Sequence, residues 1–216
     1  MARPRLHSLD DLLDVAEQIV VSGDPGGLTL RGLAVRAGVS NGTIYHAFGS
    51  KEELLARLWL RASARLGEAT VAALAETEEG AATECVVAVA LAPLRLARQH
   101  TASAQLFFGQ RSDQLFSADI PGELVTSLAE HQHRFVELLK GLADGLWQRR
   151  DRVAVDVITS CVVDIPSGLL RRRLLAGLPL EPSTEQRIAA AVRAVLALPL
   201  DPAPARRTPS ASRSHR

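Results

Sequence analysis

Apolar residues recur three and four positions apart along almost the whole chain, as at Leu9, Leu12, Leu13, Ala16, Ile19 and Val20, and strand-like alternation is nearly absent. The period predicts an all-α protein. Turn residues divide it. Ser8 is placed to cap a first helix, which the glycine- and proline-rich stretch at 22–27 ends. A second helix is expected from near Thr29 to Ala37, closed by Gly38, and a third from Ser40 to Phe48, closed by Gly49. Ser50, with Glu53 three residues on, predicts a capping box for a fourth helix through Leu54, Leu55, Leu58 and Ala62. Longer helices are expected at 81–99, 101–116, 121–147, 152–176 and 183–198, with Pro93 and Pro166 kinking or splitting two of them. No internal repeat interrupts this organisation.

The expected division is a helix-turn-helix domain at 1–50, a larger helical bundle at 51–200 and a tail at 201–216. The tail is rich in Pro, Ser, Ala and Arg and has almost nothing apolar to bury, which predicts disorder.

The 216 residues are 47% hydrophobic, ample for a packed core. The longest unbroken apolar runs fall short of the roughly 18–20 residues that span a bilayer, so no membrane association is expected. Arg3 and Arg5 lead into Asp10 and Asp11 rather than an apolar stretch, which does not read as a secretory signal, and a cytoplasmic location is expected. Cys85 and Cys161 fit no metal-ligand spacing and read as small buried thiols; no metal, cofactor or catalytic residue is assigned. The net charge of +1 decides nothing about partners, but its distribution does. Residues 25–51 hold Arg31, Arg36 and Lys51 with no acid, whereas Glu68, Glu76, Glu78, Glu79 and Glu84 follow with no base among them.

Between residues 30 and 48 each small or apolar residue falls where a helix-turn-helix needs one. Ala34 allows close approach of two helices, Gly38 makes the turn, Val39 tucks beneath it, and Leu33, Ala37, Ile44 and Phe48 form a small core. At about 100° per residue Ile44 and Phe48 share one face of the third helix, and Gly42, Thr43 and His46 lie opposite, with Tyr45 on the flank. That outer face is small, polar and free of carboxylates, which suits an element entering the major groove between phosphates. A plain surface helix would carry Glu and Lys there instead.

Gly38-Val39-Ser40, Gly42-Thr43-Ile44-Tyr45-His46 and Phe48-Gly49-Ser50-Lys51-Glu52-Glu53-Leu54-Leu55 together resemble the signature of the TetR family of bacterial transcriptional regulators. The resemblance implies a dimer on palindromic double-stranded operator DNA, a helix-turn-helix joined by a fourth helix to a ligand-sensing bundle, and release when a small hydrophobic molecule binds, as in a repressor. It implies phosphate contacts at Thr29, Ser40, Thr43, Tyr45 and Lys51, with Asn41, Gly42 and His46 nearest the bases. Ala47 departs from the family pattern, which usually has an aromatic or His reaching the backbone. Lys51 also stands out physically, because a cation in the first turn of a helix opposes the dipole unless an anion is near.

Phe107, Phe108, Phe116, Phe135 and Trp147 cluster in the stretch where the family's ligand cavity would be lined, and Asp164 sits in an apolar context as a buried polar anchor or a paired carboxylate. Ile188, Ala191, Val192 and Val195 make an apolar stripe, expected to join the helix at 152–176 in a four-helix dimer interface. An architectural DNA-binding protein without ligand is the alternative. A helical-bundle enzyme using His131, His133, Glu130 or Asp164 is a second, but these form no recognisable constellation.

Overall fold

Ser8 opens the first helix reciprocally: its hydroxyl accepts from the Asp11 N–H at 3.1 Å, and the Asp11 carboxylate accepts from the Ser8 N–H at 2.8 Å. In this computed structural model residues 8–22, 27–109 and 119–202 are described, and among them every regular element is helical. Three short helices come first: α1 (Leu9–Ser22), α2 (Leu30–Ala37) and α3 (Asn41–Phe48). Thr29 caps α2 by accepting from Gly32, and Gly38 ends it at φ 67°, a left-handed conformation that favours glycine.

Ser50 caps α4 (Lys51–Ala75) by accepting from the Glu53 N–H at 3.0 Å. The other half of the expected capping box is redirected. Glu53 gives Oε1 to Arg57, which donates to it from Nε at 3.0 Å and Nη2 at 2.7 Å, because a charged partner one turn away outcompetes a neutral backbone donor.

Leu12, Leu13, Ala16 and Ile19 of α1 close on Leu33 and Ala34 of α2 and on Ile44 and Phe48 of α3. This core also takes Leu54 and Leu58 from α4, so the apolar packing runs past residue 50. The second half of α4 continues into a bundle with α5 (Ala82–Gln99), α6 (Thr101–Gly109), α7 (Gly122–Trp147), α8 (Arg152–Leu175) and α9 (Thr184–Leu196).

The two prolines behave differently. Pro93 is buried within α5, which runs on through it. Pro166 cannot donate to the carbonyl four residues back, and the turn before it, Ser160–Asp164, widens to a π-helix in which Ile165 donates to Ser160. The helix runs on through this turn and is not split. By length and apolarity α8 meets the requirement for crossing a membrane, which counting unbroken apolar runs did not reveal, since Asp164 interrupts the run but not the helix. Only 33% of its most apolar stretch is buried; Ala154, Ile158, Cys161, Val162, Leu170 and Leu174 reach the bundle core and its other flank stays open.

The apolar stripe of α9 is used within the protomer. Ile188 and Val192 are fully buried against α5 in the bundle core, which overturns the expectation that this stripe faces a second subunit. The periodicity located an apolar face correctly, but its cover is the chain's own fifth helix.

Candidate nucleic-acid interface

The third helix is held from beneath and presented from above. Ile44 and Phe48 are fully buried, each worth about 1.5–3 kcal/mol of apolar burial, so the helix is pinned across α2. Ser40 caps it: its hydroxyl accepts from the Thr43 N–H at 3.1 Å and lies 2.9 Å from the Thr43 hydroxyl. Both residues remain exposed.

Asn41, Gly42, Thr43, Tyr45 and His46 all lie on the exposed side, with Tyr45 56% accessible. A Cβ at Gly42 would meet only the Ser40 hydroxyl, at an ordinary 3.6 Å, so nothing within the chain demands glycine there. A bare backbone beside an exposed aromatic ring suits a surface that another molecule approaches closely. Thr29 and Lys51 are exposed at the starts of α2 and α4. All eight expected contact residues are exposed.

The arginines of α4, α5 and α9 are paired, whereas Arg134, Arg171 and Arg172 of the bundle form no ion pair among the described residues. Arg57, Arg61 and Arg65 on α4 are engaged by Glu53, Asp14 and Glu17, and Arg95, Arg98 and Arg193 by Glu76, Glu185 and Glu84. Among the described residues Arg31, Arg36 and Lys51 have no ion-pair partner, and all three are exposed. Arg36, in the last turn of α2, is favoured there by the helix dipole. Arg31 in the first turn of α2 and Lys51 in the first turn of α4 are disfavoured by it, and each stands where an external anion would relieve the conflict. Arg31 thus resembles Lys51 in its setting, and the absence of acids around it was already legible in the sequence.

The expected ligand residues that are described stand in different surroundings. Phe107 stacks on Trp59 with centroids 5.6 Å apart and meets Phe108 edge-on at 5.7 Å, and Trp147 packs half-buried against the bundle core. Phe135 is exposed on α7, and Asp164 is exposed at the π-turn, not buried. Sequence clustering placed these residues near one another in the chain but could not say which side of its helix each occupies. Phe116 lies outside the described residues, as does the tail beyond residue 202.

An open groove of about 350 Å³ lies elsewhere, with Val87, Ala88 and Leu91 among its lining residues and the pairs Arg95–Glu76 and Arg193–Glu84 beside them. The hydrogen bonds from these guanidinium groups hold Glu76 and Glu84 below the usual carboxylate range and raise the arginines in turn.

Residues 12–58 match the family model described as bacterial regulatory proteins, tetR family. An uncharacterized HTH-type transcriptional regulator of Mycobacterium tuberculosis is 28% identical over 164 residues, 75% of this chain and 78% of the relative. The fold is similar to a TetR-like transcriptional regulator from Rhodococcus sp. RHA1, at TM-score 0.63 and 19% identity over 90% of this chain and 96% of that one. It is likewise similar to the ketosteroid transcriptional regulator KstR2 of Mycobacterium tuberculosis, at TM-score 0.59 and 17% identity over 91% and 96%. With its exposed α3 face and its four-helix N-terminal packing, the chain carries an N-terminal domain of the tetR family of bacterial regulatory proteins on a TetR-like fold.

Proposed function

We propose that the chain works in the cytoplasm as a two-fold homodimer that represses from a palindromic operator and lets go when a small hydrophobic molecule binds its bundle. In this reading residues 1–50, with the start of α4, are the reading head, and residues 51–200 sense and dimerise. Thr29, Ser40, Thr43, Tyr45 and Lys51 hold phosphates, joined by Arg31, while Asn41, Gly42 and His46 lie nearest the base edges. The observation that carries it is the face of α3, where Tyr45 is 56% exposed beside a glycine the chain does not itself require and between two bases without acids.

The dimer forms through the faces that α8 and α9 leave open, including Val157, Ser160 and Gly168 on α8 and the exposed Ala190 and Ala194 one turn apart on α9. The effector reading is supported by the Trp59, Phe107 and Phe108 rings, gathered beside the head in a bundle with few other aromatics, and by the name of the ketosteroid regulator that shares the fold. Tyr45→Ala and Lys51→Ala test the contact assignment: each weakens DNA binding while helical content and dimer mass stay unchanged. Unaltered affinity in both variants across a salt titration overturns it.

A further inference from the structure

Glu17 of α1, Arg65 of α4 and Ser103 of α6 meet in one closed set of hydrogen bonds at the junction of head and bundle. Arg65 Nη1 donates to both Glu17 carboxylate oxygens, at 2.7 and 2.9 Å, and to the Ser103 hydroxyl at 2.5 Å. Ser103 Oγ in turn donates to Glu17 Oε1 at 2.9 Å. The side chains of Glu17 and Arg65 are only 11% and 18% exposed, and Ser103 is fully buried.

The rest of α6 ties this cluster to the opposite side of the molecule. Gln105 Nε2 donates to the Leu174 carbonyl at 2.9 Å, and Arg171 Nε donates to the Phe108 carbonyl at 3.0 Å, both reaching α8. Leu106 is buried in the core of the head, whereas Ala104 and Phe108 are buried in the core of the bundle. A nine-residue helix thus touches α1 with one face and α8 with another.

An apolar seam can slide by fractions of an ångström at little cost, because burial is non-directional. A largely desolvated carboxylate and guanidinium cannot, because each must keep its partners or stand as an uncompensated charge. We propose that Glu17, Arg65 and Ser103 are positioning residues which lock the reading head to α6 at one orientation, so that the tie from α8 through α6 to α1 sets the separation of the two heads. This rests on the dimeric reading above. Ser103 is the adjustable member, since it alone belongs to α6 and contributes a neutral hydroxyl to two charged groups.

The test uses the full-length chain and a two-fold DNA fragment selected by the wild type from random sequence. Affinity is measured for that fragment and for versions with one base pair added to or removed from the spacer, in wild type, Ser103→Ala, Glu17→Gln and Asp14→Ala. Asp14 pairs with Arg61 on the same α1–α4 seam but is 54% exposed, and surface pairs of this kind contribute little. The preference for the selected spacing should fall by at least about tenfold in Ser103→Ala, which removes two hydrogen bonds to charged groups. It should fall similarly in Glu17→Gln and stay at the wild-type value in Asp14→Ala. A role in stability alone would lower the melting temperature and leave the spacing preference unchanged, so folded Ser103→Ala and Glu17→Gln dimers with wild-type preference overturn the proposal. A wild type that selects no two-fold fragment removes the dimeric reading and this proposal with it, whereas normal selection with indifferent variants removes this proposal alone.

Discussion

Replacing Arg31 and Lys51 by alanine probes the electrostatic contacts directly. Both residues are exposed, lack an acidic partner among the described residues and sit at helix N-termini that disfavour a cation. If each meets one phosphate in both protomers, a single substitution removes about two phosphate contacts per dimer, and the slope of log affinity against log salt flattens by about 0.9 per contact, or ~1.8. Between 50 and 200 mM salt, a fourfold change, the wild type's advantage over either variant should then shrink about twelvefold, and the double variant should flatten the slope by ~3.6. Arg98→Ala is the control, because Arg98 is already held by Glu185 at 2.7 Å in the bundle. Fluorescence anisotropy titrations at five or six salt concentrations give the slopes. Slopes for Arg31→Ala and Lys51→Ala that coincide with the Arg98→Ala slope would show that neither residue reaches a phosphate.

The interface and the protomer core should separate under mutation: Ala194→Glu yields folded monomers by sedimentation, whereas Val192→Glu places a carboxylate at a fully buried position and loses helical content. A Val192→Glu variant that keeps its helix signal and loses only the dimer would return the α9 stripe to the subunit interface. Burial pushes the Cys161 thiol up to about 11, so alkylation at pH 8 should spare it in the native protein and label it on unfolding; rapid native labelling of Cys161 would contradict this. Asp151, the N-cap of α8, is held at about 2 instead of 3.8, first by the hydrogen bond from Arg149 and then by the Ala154 and Val153 N–H groups. Its folded value is depressed, so its stabilisation is complete above about pH 3.8 and is lost as pH falls through about 2. A carboxyl titration by NMR with a midpoint near 3.8 for Asp151 would refute the pairing.

The N-terminal domain was legible because local chemistry marks its caps, its turn and the buried face of each helix. Thr29, Ser40 and Ser50 bond the backbone three residues ahead, Gly38 supplies a positive φ, and Ile44 and Phe48 fall one turn apart on a helix too short to bury more. What the sequence left open was pairing across distance. The three-and-four spacing of Ile188, Val192 and Val195 marks a face in the same way whether its cover is α5 or a second chain. Phe135 and Phe107 look equally apolar in the sequence, yet one faces solvent and the other stacks on Trp59, 48 residues earlier. The Glu17–Arg65–Ser103 set was invisible for the same reason, since three unremarkable polar residues acquire meaning only when α6 brings them together.

A two-fold dimer that reads successive major grooves through α3 is tested by selecting DNA from a random pool with the wild-type protein and sequencing what is retained. The expected result is convergence on an inverted repeat whose half-site centres lie about 34–36 Å apart, roughly one helical turn, or a multiple of that distance. Retention without enrichment, or convergence on a single unrepeated half-site, would contradict it.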